Sequence, residues 1–298
     1  MAIRTVTNRV HSAIVTGVRV LSPSMVRITF GGDSLRTFES TGVGDEYLRV
    51  FLPHERPDAF VLPYAEGDYW DYAEGVEPLP MRTYTVRAHR PEAGEVDIDF
   101  VFHDGGIAAT WAAAAKPGDV VGVNSPRGLY DAPDGIDWQL LLADSTGLPA
   151  AARLIENAPD GVLTRVILEV PGPDHRQELA ERPGVTVTWV YGGNGRTRSR
   201  LAELLATLEL PAGAGYVWAA GETRILRDIR RDLRHSRKLP ATNYKLMGYW
   251  TDRAEEWSAR YDELDPSTRA GLDALWESGE DLEVIEDRYD SMLTTLGL

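Results

Sequence analysis

The sequence predicts two domains, an antiparallel β-barrel followed by a doubly wound α/β domain with a parallel sheet, and a helical acidic C-terminal tail. Three observations carry this prediction. The chain has 298 residues, about twice the length of an ordinary domain. Its first half alternates apolar and polar residues with the period of strands. Its second half alternates strand-like and helix-like segments. We place the three units at residues 1–134, 135–251 and 252–298.

The first unit contains six segments that alternate apolar and polar residues and are bounded by Gly, Pro or Asp turns. These predicted strands are Ala13–Leu21, Met25–Phe30, Tyr47–Leu52, Arg82–Arg87, Val96–Phe102 and Val120–Val123. One helix is predicted over Ile107–Lys116, which is rich in alanine and is followed by Pro117 and Gly118. Six strands joined by turns favour a barrel or a sandwich.

The second unit alternates short strands with helices. The predicted strands are Leu140–Ala143, Thr164–Val170, Val185–Tyr191, Tyr216–Ala219 and Tyr244–Trp250. The predicted helices are Pro149–Asn157, Asp174–Glu181, Arg198–Leu208 and Glu222–Arg234. Such alternation with short connections is typical of a parallel sheet with helices on both faces. In the tail, apolar residues recur at partly helical spacing, and we expect two or three short helices that pack on the body.

The charge of the chain argues against nucleic acid as a partner. Asp and Glu number 46 against 31 Lys and Arg, a formal net charge of −15, and acidic proteins bind nucleic acid poorly. Residues 252–298 hold 14 acidic and 4 basic residues, a net charge of −10, so residues 1–251 carry only −5. The acidity is therefore concentrated in the tail.

The absence of cysteine excludes disulfides, thiolate metal sites and cysteine nucleophiles. The six histidines are scattered, so no metal site is predicted. Residues 1–20 lack the apolar core of a signal peptide, and no apolar segment is long enough to span a membrane. We therefore expect a cytoplasmic protein without stable membrane association.

The predicted strand that begins at Arg82 carries side chains that suit a flavin. With the two-residue period of a strand, Arg82 and Tyr84 share one face. Thr83, Thr85 and Arg87 share the other. A guanidinium binds phosphate oxygens, a tyrosine ring packs on a flat heterocycle, and a threonine hydroxyl donates to a ring nitrogen. An edge strand with one solvated face has the same residue types, so these alone leave both interpretations open.

A second candidate feature is the turn Asp104-Gly105-Gly106, which leads into the helix predicted from Ile107. Free amides and the positive dipole end at a helix N-terminus favour an anion such as a pyrophosphate. An ordinary connection between a strand and a helix has the same pattern. His103, just before the turn, is by itself more typical of a surface loop than of a ligand.

A series of short motifs is informative through its order and spacing. In the first unit the motifs are Arg82–Arg87, Asp97–His103, Trp111-Ala112, Pro117-Gly118-Asp119 and Ser125–Gly128. In the second unit they are Ala143–Ala150, Trp218–Glu222, Arg227, Arg230-Arg231 and Gly248–Trp250. Together they resemble the siderophore-interacting protein family of the ferredoxin–NADP reductase superfamily. The resemblance covers about residues 10–250.

This resemblance implies a flavoreductase that binds FAD in the barrel and a reduced nicotinamide nucleotide on the parallel sheet. Electrons would pass through the flavin to a ferric siderophore and release Fe(II). The resemblance places Arg82 at the FAD phosphates, Tyr84 along the isoalloxazine and ribityl, and Thr85 at the reactive edge near N5. Tyr84 and Thr85 are thus the predicted catalytic residues. The other FAD contacts that it implies are Thr83, Arg87, His103, Ala108, Ala109 and Thr110.

The chain departs from the family pattern at two places. Where the family has Gly-Pro-Ala-Ser at the helix start, this chain has Gly106–Ala109, so one hydroxyl is lost unless Thr110 replaces it. Ala143–Gly147 stands where the family often has Gly-Asp-Glu-Thr-Ala. Asp144 and Thr146 keep their places there and are expected near the flavin and the nicotinamide.

The loop after the third strand of the second unit bears on the electron donor. An arginine at such a strand tip accommodates the 2′-phosphate of NADPH. Arg196 and Arg198 therefore favour NADPH over NADH, although a solvated loop has the same composition. Glu222 and Trp250 complete the predicted cofactor contacts, with Trp250 or Tyr249 as a cover for the flavin.

Three basic residues are predicted to bind the substrate. Ferric siderophores are often anionic, and Arg127, Arg224 and Lys245 are expected to attract them. The expected partner is a ferric siderophore, and the protein is expected to be a monomer. Three alternatives stay open: a reductase supplied by reduced ferredoxin, a module that binds siderophore or flavin without turnover, and a general flavin reductase or monooxygenase partner.

Overall fold

The structure, a computed structural model, describes residues 4–54, 60–67, 69–102, 106–280 and 282–298. Within this part of the chain, the first domain contains eleven strands and one α-helix. The strands are β1 (Arg4–Thr5), β2 (Val10–Ser22), β3 (Met25–Gly31), β4 (Tyr47–Phe51), β5 (Tyr64–Glu66), β6 (Tyr69–Asp71), β7 (Met81–Thr85), β8 (Ala88–Arg90), β9 (Glu95–Val101), β10 (Val120–Asn124) and β11 (Arg127–Gly128). The helix, α1, covers Ile107–Ala114.

Nine of these strands form one antiparallel sheet that closes into a barrel. Its order is β1-β11-β4-β10-β2-β3-β9-β8, and β7 pairs with the remaining side of β4. Just after β7, the backbone N–H of Arg87 donates to the carbonyl of Asp97 in β9 over 2.8 Å. This hydrogen bond joins the two sides of the sheet. Alternate residues such as Ile28, Phe30 and Ile98 then fill the interior.

The second domain is a five-stranded parallel sheet with three α-helices. Its strands are β12 (Trp138–Ala143), β13 (Leu163–Val170), β14 (Val185–Tyr191), β15 (Gly215–Glu222) and β16 (Tyr244–Trp250). Its helices are α2 (Leu148–Glu156), α3 (Leu201–Thr207) and α4 (Thr223–Arg231). The order β14-β13-β12-β15-β16 brings the carboxyl ends of all five strands to one edge. The predicted succession of an antiparallel barrel and a parallel sheet is confirmed.

One predicted helix is wrong. The segment Asp174–Glu181 forms a short 3₁₀ turn, Pro173–His175, and then runs without regular structure. Leu179 is its one large apolar residue and packs on the domain core. The segment therefore lacks the apolar stripe that stabilises a surface helix.

Two further helix boundaries differ from the prediction. The helix expected from Arg198 begins at Leu201 because the preceding residues belong to a loop fixed on β13. The helix expected to reach Arg234 ends its α-helical part at Arg231 and continues as a π-helical turn over Asp232–Ser236.

A buried ion pair joins the two domains. The Arg153 guanidinium of α2 lies 2.9 Å from a carboxylate oxygen of Glu46, in the loop before β4. The same guanidinium donates to the carbonyl of Val86 over 2.5 Å. Glu46 has no solvent exposure and Arg153 is 8% exposed. The second domain is thereby fixed next to the end of β7.

The acidic tail forms three helices, α5 (Ala254–Asp262), α6 (Pro266–Trp276) and α7 (Leu282–Thr295). Helix α7 packs on α4 through ion pairs of two buried arginines, Arg227 with Asp290 and Arg230 with Glu286 and Asp290. The predicted helical tail on the body is thus confirmed. Within the described residues, no helix combines the length and apolarity needed to cross a bilayer.

Candidate functional site

Strand β7 places Thr85 at the boundary between the two domains. The antiparallel register sets Thr85 opposite Tyr47, and Tyr47 opposite Arg127. Because directly opposed residues share a face of a sheet, these three side chains lie in one row across β7, β4 and β11. Thr85 is 6% exposed. The row brings a predicted substrate residue, Arg127, to the same face as the predicted catalytic threonine.

The other face of β7 carries Tyr84 and Arg82. The Tyr84 ring packs on Phe100 of the barrel core, with ring centroids 4.3 Å apart. Burial raises the pKa of the Tyr84 hydroxyl, so this tyrosine stays neutral. Arg82 is exposed, and its guanidinium donates to the carbonyl of Met81. Within the described residues, Arg82 has no ion pair with a carboxylate, and its charge is available to an anion. Thr83, on the face of Thr85, is exposed.

Tyr249 of β16 reaches the boundary from the second domain. Its hydroxyl lies beside Thr85, is buried, and has no aligned hydrogen-bond partner in the described part of the chain. Burial raises the pKa of this hydroxyl. Trp250, the next residue, ends the strand beside a break in its register with β15. Its indole N–H donates to Asp144 over 2.7 Å.

A buried carboxylate, Asp45, lies behind this boundary. It accepts hydrogen bonds from the backbone N–H groups of Leu129 and Tyr130, at 2.9 and 2.8 Å, and from the Trp218 indole at 3.0 Å. Burial raises the pKa of Asp45, and the nearby charge of Lys245 opposes that rise. Lys245 is 9% exposed. This predicted substrate residue therefore lies inside the join between the domains.

The N-terminus of α1 begins at a glycine N-cap. Gly106 occupies this position and has no side chain to cap the first turn, so within the described residues the first-turn amides have no side-chain cap. Ala108 and Ala109 are buried and have only methyl side chains, so their polar groups are those of the backbone. Thr110 is exposed. His103 lies outside the described residues, and its predicted role stays a prediction.

A cavity of about 450 Å³ lies at the carboxyl edge of the parallel sheet. It is bounded by the ends of β12, β13 and β15, by the loop after β14, and by the first turns of α4. The predicted residues in its wall are Asp144, Arg196, Arg198, Glu222, Arg224 and Trp250. Arg224, predicted to bind the siderophore, thus stands with the residues predicted to bind the nucleotide.

Asp144 organises the loop that follows β12. One of its carboxylate oxygens accepts from the N–H and hydroxyl of Thr146 and from the N–H of Gly147, at 2.8, 2.6 and 3.3 Å. The other accepts from the N–H of Glu222 and from the Trp250 indole, at 3.0 and 2.7 Å. Burial raises the pKa of Asp144, and these hydrogen bonds oppose the rise. Asp144 and Thr146 therefore shape the loop with their own side chains.

Two more predicted cofactor residues are engaged with protein groups. Arg87 forms a bidentate ion pair with Glu156 of α2, with nitrogen–oxygen distances of 2.6 and 3.2 Å. Glu222 caps the N-terminus of α4 by accepting from the N–H of Ile225 over 3.0 Å, and it also accepts from the N–H of Asp252. Arg87 thus links the domains, and Glu222 links α4 to the start of the tail.

Asn194 ties the loop after β14 to the loop after β12. Its side-chain oxygen accepts from the N–H of Ser145 over 2.9 Å, and its side-chain nitrogen donates to the carbonyls of Glu169 and Gly192. Asn194 adopts a positive φ of 56° between three glycines that also have positive φ. Asparagine tolerates this conformation better than most residues.

Sequence reasoning did not identify Asp45, Tyr47, Glu169 or Asn194 as part of the site. Asn194 carried a signal, because an asparagine among glycines indicates a left-handed turn. Asp45 and Glu169 gave none, since an acidic residue in or beside a strand is usually on the surface, and Tyr47 was predicted only as part of a strand. Their place depends on how the two domains pack.

Two family models match the chain. The model described as siderophore-interacting FAD-binding domain matches residues 14–130, and the one described as siderophore-interacting protein matches residues 136–253. The barrel and the parallel sheet are therefore each covered by a domain of the same family.

Curated relatives and solved structures agree with these matches. The chain is 31% identical to the NADPH-dependent ferric-chelate reductase of Escherichia coli over 253 residues, which cover 81% of this chain and 93% of that one. It is 28% identical to the ferric vibriobactin reductase of Vibrio cholerae over 247 residues, 81% of this chain and 90% of that one. The crystal structure of a siderophore utilization protein from T. fusca superposes with a TM-score of 0.76 at 34% identity, covering 85% of this chain and 96% of that one.

Proposed function

The chain belongs to the siderophore-interacting protein family, and we propose that it is an FAD-dependent oxidoreductase that passes electrons from NADPH or NADH to ferric siderophores. The observation that carries this proposal is the pairing of two sites. A predicted flavin strand ends at Thr85, and a cavity with three arginines lies at the carboxyl edge of the adjoining sheet. The two relatives named as ferric reductases support the reaction type.

The barrel residues fit FAD. Arg82 offers an exposed guanidinium for a phosphate, and the N-terminus of α1, with Gly106 as its N-cap, offers backbone amides. Tyr84 presents a half-buried ring beside them. When bound, FAD would supply the conversion between two-electron and one-electron chemistry. We propose that Thr85 and Tyr249, which meet at the boundary, enclose its reactive edge and exclude water.

The cavity residues fit the nucleotide. Arg196 and Arg198 are exposed on the loop after β14, in the place where a 2′-phosphate is accommodated. Arg224 lies in the first turn of α4, and its Nε is buried without a hydrogen-bond partner within the described residues. A phosphate oxygen of the nucleotide would satisfy this donor. We therefore assign Arg224 to the nucleotide.

The siderophore would approach the boundary between the domains. Arg127 lies in the row of Tyr47 and Thr85 and is the basic residue that we place nearest to the substrate. Lys245 lies inside this boundary, and its positive charge would attract the anionic siderophore. We keep the unit boundaries at residues 134 and 251, which the two family matches support, and propose that the protein acts as a monomer.

The proposal is tested by steady-state oxidation of NADPH in the presence of a ferric siderophore and a ferrous-specific chelator. We expect two Fe(II) ions per NADPH, since a hydride carries two electrons and each ferric ion takes one. The control omits the siderophore. NADPH oxidation without Fe(II) would indicate a general flavin reductase. Fe(II) formation that requires reduced ferredoxin would exclude NADPH as the donor.

A further inference from the structure

Glu169 is a buried carboxylate that is only half satisfied. It is the penultimate residue of β13, has no solvent exposure, and lies in the wall of the cavity. Its Oε1 accepts from the backbone N–H of Arg200 over 2.7 Å. Its Oε2 is buried and has no well-aligned hydrogen-bond donor in the described part of the chain, although the Ser199 hydroxyl lies beside the carboxylate. A buried oxygen without an aligned donor needs an explanation, and at the wall of a cavity a ligand can supply the donor.

The place of Glu169 in the sheet indicates which partner is missing. β12 leads into the loop at the cavity, and β13 is the next strand of the parallel unit. Dinucleotide-binding domains of this architecture carry an acidic residue about 20 residues after that loop, where it accepts a hydrogen bond from the ribose 2′-hydroxyl. Glu169 occupies this place.

We infer that Glu169 is a nucleotide-specificity residue: its Oε2 accepts a hydrogen bond from the 2′-hydroxyl of the adenosine ribose and favours NADH. This inference rests on the proposed function. Arg196 and Arg198 favour a 2′-phosphate, whereas the negative charge of Glu169 opposes one. The cavity therefore carries two opposed determinants, and the site accepts both NADH and NADPH.

The loop after β14, which contains Gly192, Gly193 and Gly195, covers the Glu169 carboxylate. Gly193 has a φ of +60°, and a Cβ added there would lie 2.3 Å from Oε2 of Glu169. Any side chain at this position would displace the carboxylate. Gly192 and Gly195, on either side of Gly193, also have a positive φ. Contact between Oε2 and a ribose therefore requires this loop to move away from the carboxylate.

The test measures binding of ADP-ribose and of its 2′-phosphate by calorimetry to the purified FAD-loaded protein. These ligands differ only at the 2′-position, and neither donates a hydride. Glu169→Gln keeps an acceptor for Arg200 but removes the charge. We expect about tenfold weaker binding of ADP-ribose, as for a lost hydrogen bond to a charged group, and no loss for the 2′-phosphate ligand. The matched control is Glu203→Gln on the exposed face of α3, which should change neither.

Equal weakening of both ligands would show that Glu169 only supports the loop and would overturn the inference, as would unchanged affinities. If Glu169→Gln does not fold, Glu169→Asp decides: it should lose ADP-ribose affinity without gaining affinity for the 2′-phosphate ligand. Wild-type affinities in that variant would contradict the role. Failure of the wild-type protein to bind either ligand would instead contradict the nucleotide cavity of the proposed function.

Discussion

The ion pair between Arg153 and Glu46 provides the most specific test of how the domains are held. Arg153→Met keeps an unbranched apolar stem but leaves the Glu46 carboxylate buried without its cation. Removing one partner of a buried ion pair costs about 3–5 kcal/mol. Glu46 retains hydrogen bonds from the Ser40 hydroxyl and from the N–H and hydroxyl of Thr41. We therefore expect the lower end, about 3 kcal/mol.

The assay is urea unfolding followed by tryptophan fluorescence, with Arg182→Met as the matched control. Arg182 pairs with Asp160 over 3.4 Å, and the two side chains are 37% and 96% exposed, so the control should cost less than about 1 kcal/mol. Adding Glu46→Gln to Arg153→Met should recover part of the loss, because the buried charge is then gone. A loss for Arg153→Met no larger than that of the control would refute the reasoning.

Three further predictions concern the cofactors and acid stability. Arg82→Ala should weaken FAD binding by about 1.5–3 kcal/mol, measured by quenching of flavin fluorescence; unchanged affinity would remove Arg82 from the phosphate site. Arg196→Ala combined with Arg198→Ala should raise the KM for NADPH more than that for NADH, and equal increases would contradict a 2′-phosphate contact. Burial alone would raise the pKa of Asp97, but the hydrogen bonds that its carboxylate accepts, chiefly from Arg90, outweigh burial and lower the pKa. A carboxylate with a lowered pKa in the folded state stabilises the fold. This stabilisation is present above the unfolded pKa of about 3.9 and is lost as the pH falls through the lower folded value. Urea unfolding at pH 6 and pH 3 should therefore show a larger acid loss for the wild-type protein than for Asp97→Asn.

Much of the fold follows from local pattern. β14 and β16 have the predicted bounds, and the other core strands differ by a few residues, because alternation of apolar side chains defines them. The short hairpin of β5 and β6 was not predicted, since its residues are largely exposed and polar or aromatic. The helix predicted over Asp174–Glu181 fails for lack of an apolar stripe.

The site was less predictable than the fold. The sequence motifs identified Arg82 and Thr85 as functional candidates, but the row formed by Thr85, Tyr47 and Arg127 depends on register between distant strands. From the local sequence, Glu169 is only an acidic residue in a predicted buried strand, which gives no sign of a function. Its unsatisfied oxygen becomes apparent only when the loop after β14 folds over it.

The most direct test of the central claim is an anaerobic titration of the FAD-loaded protein with NADPH, followed by addition of a ferric siderophore. We expect the visible absorbance of the flavin to bleach with one equivalent of NADPH and to return when the iron complex is added. A flavin that stays oxidised with both NADPH and NADH would contradict the proposed path of electrons from the cavity to the barrel.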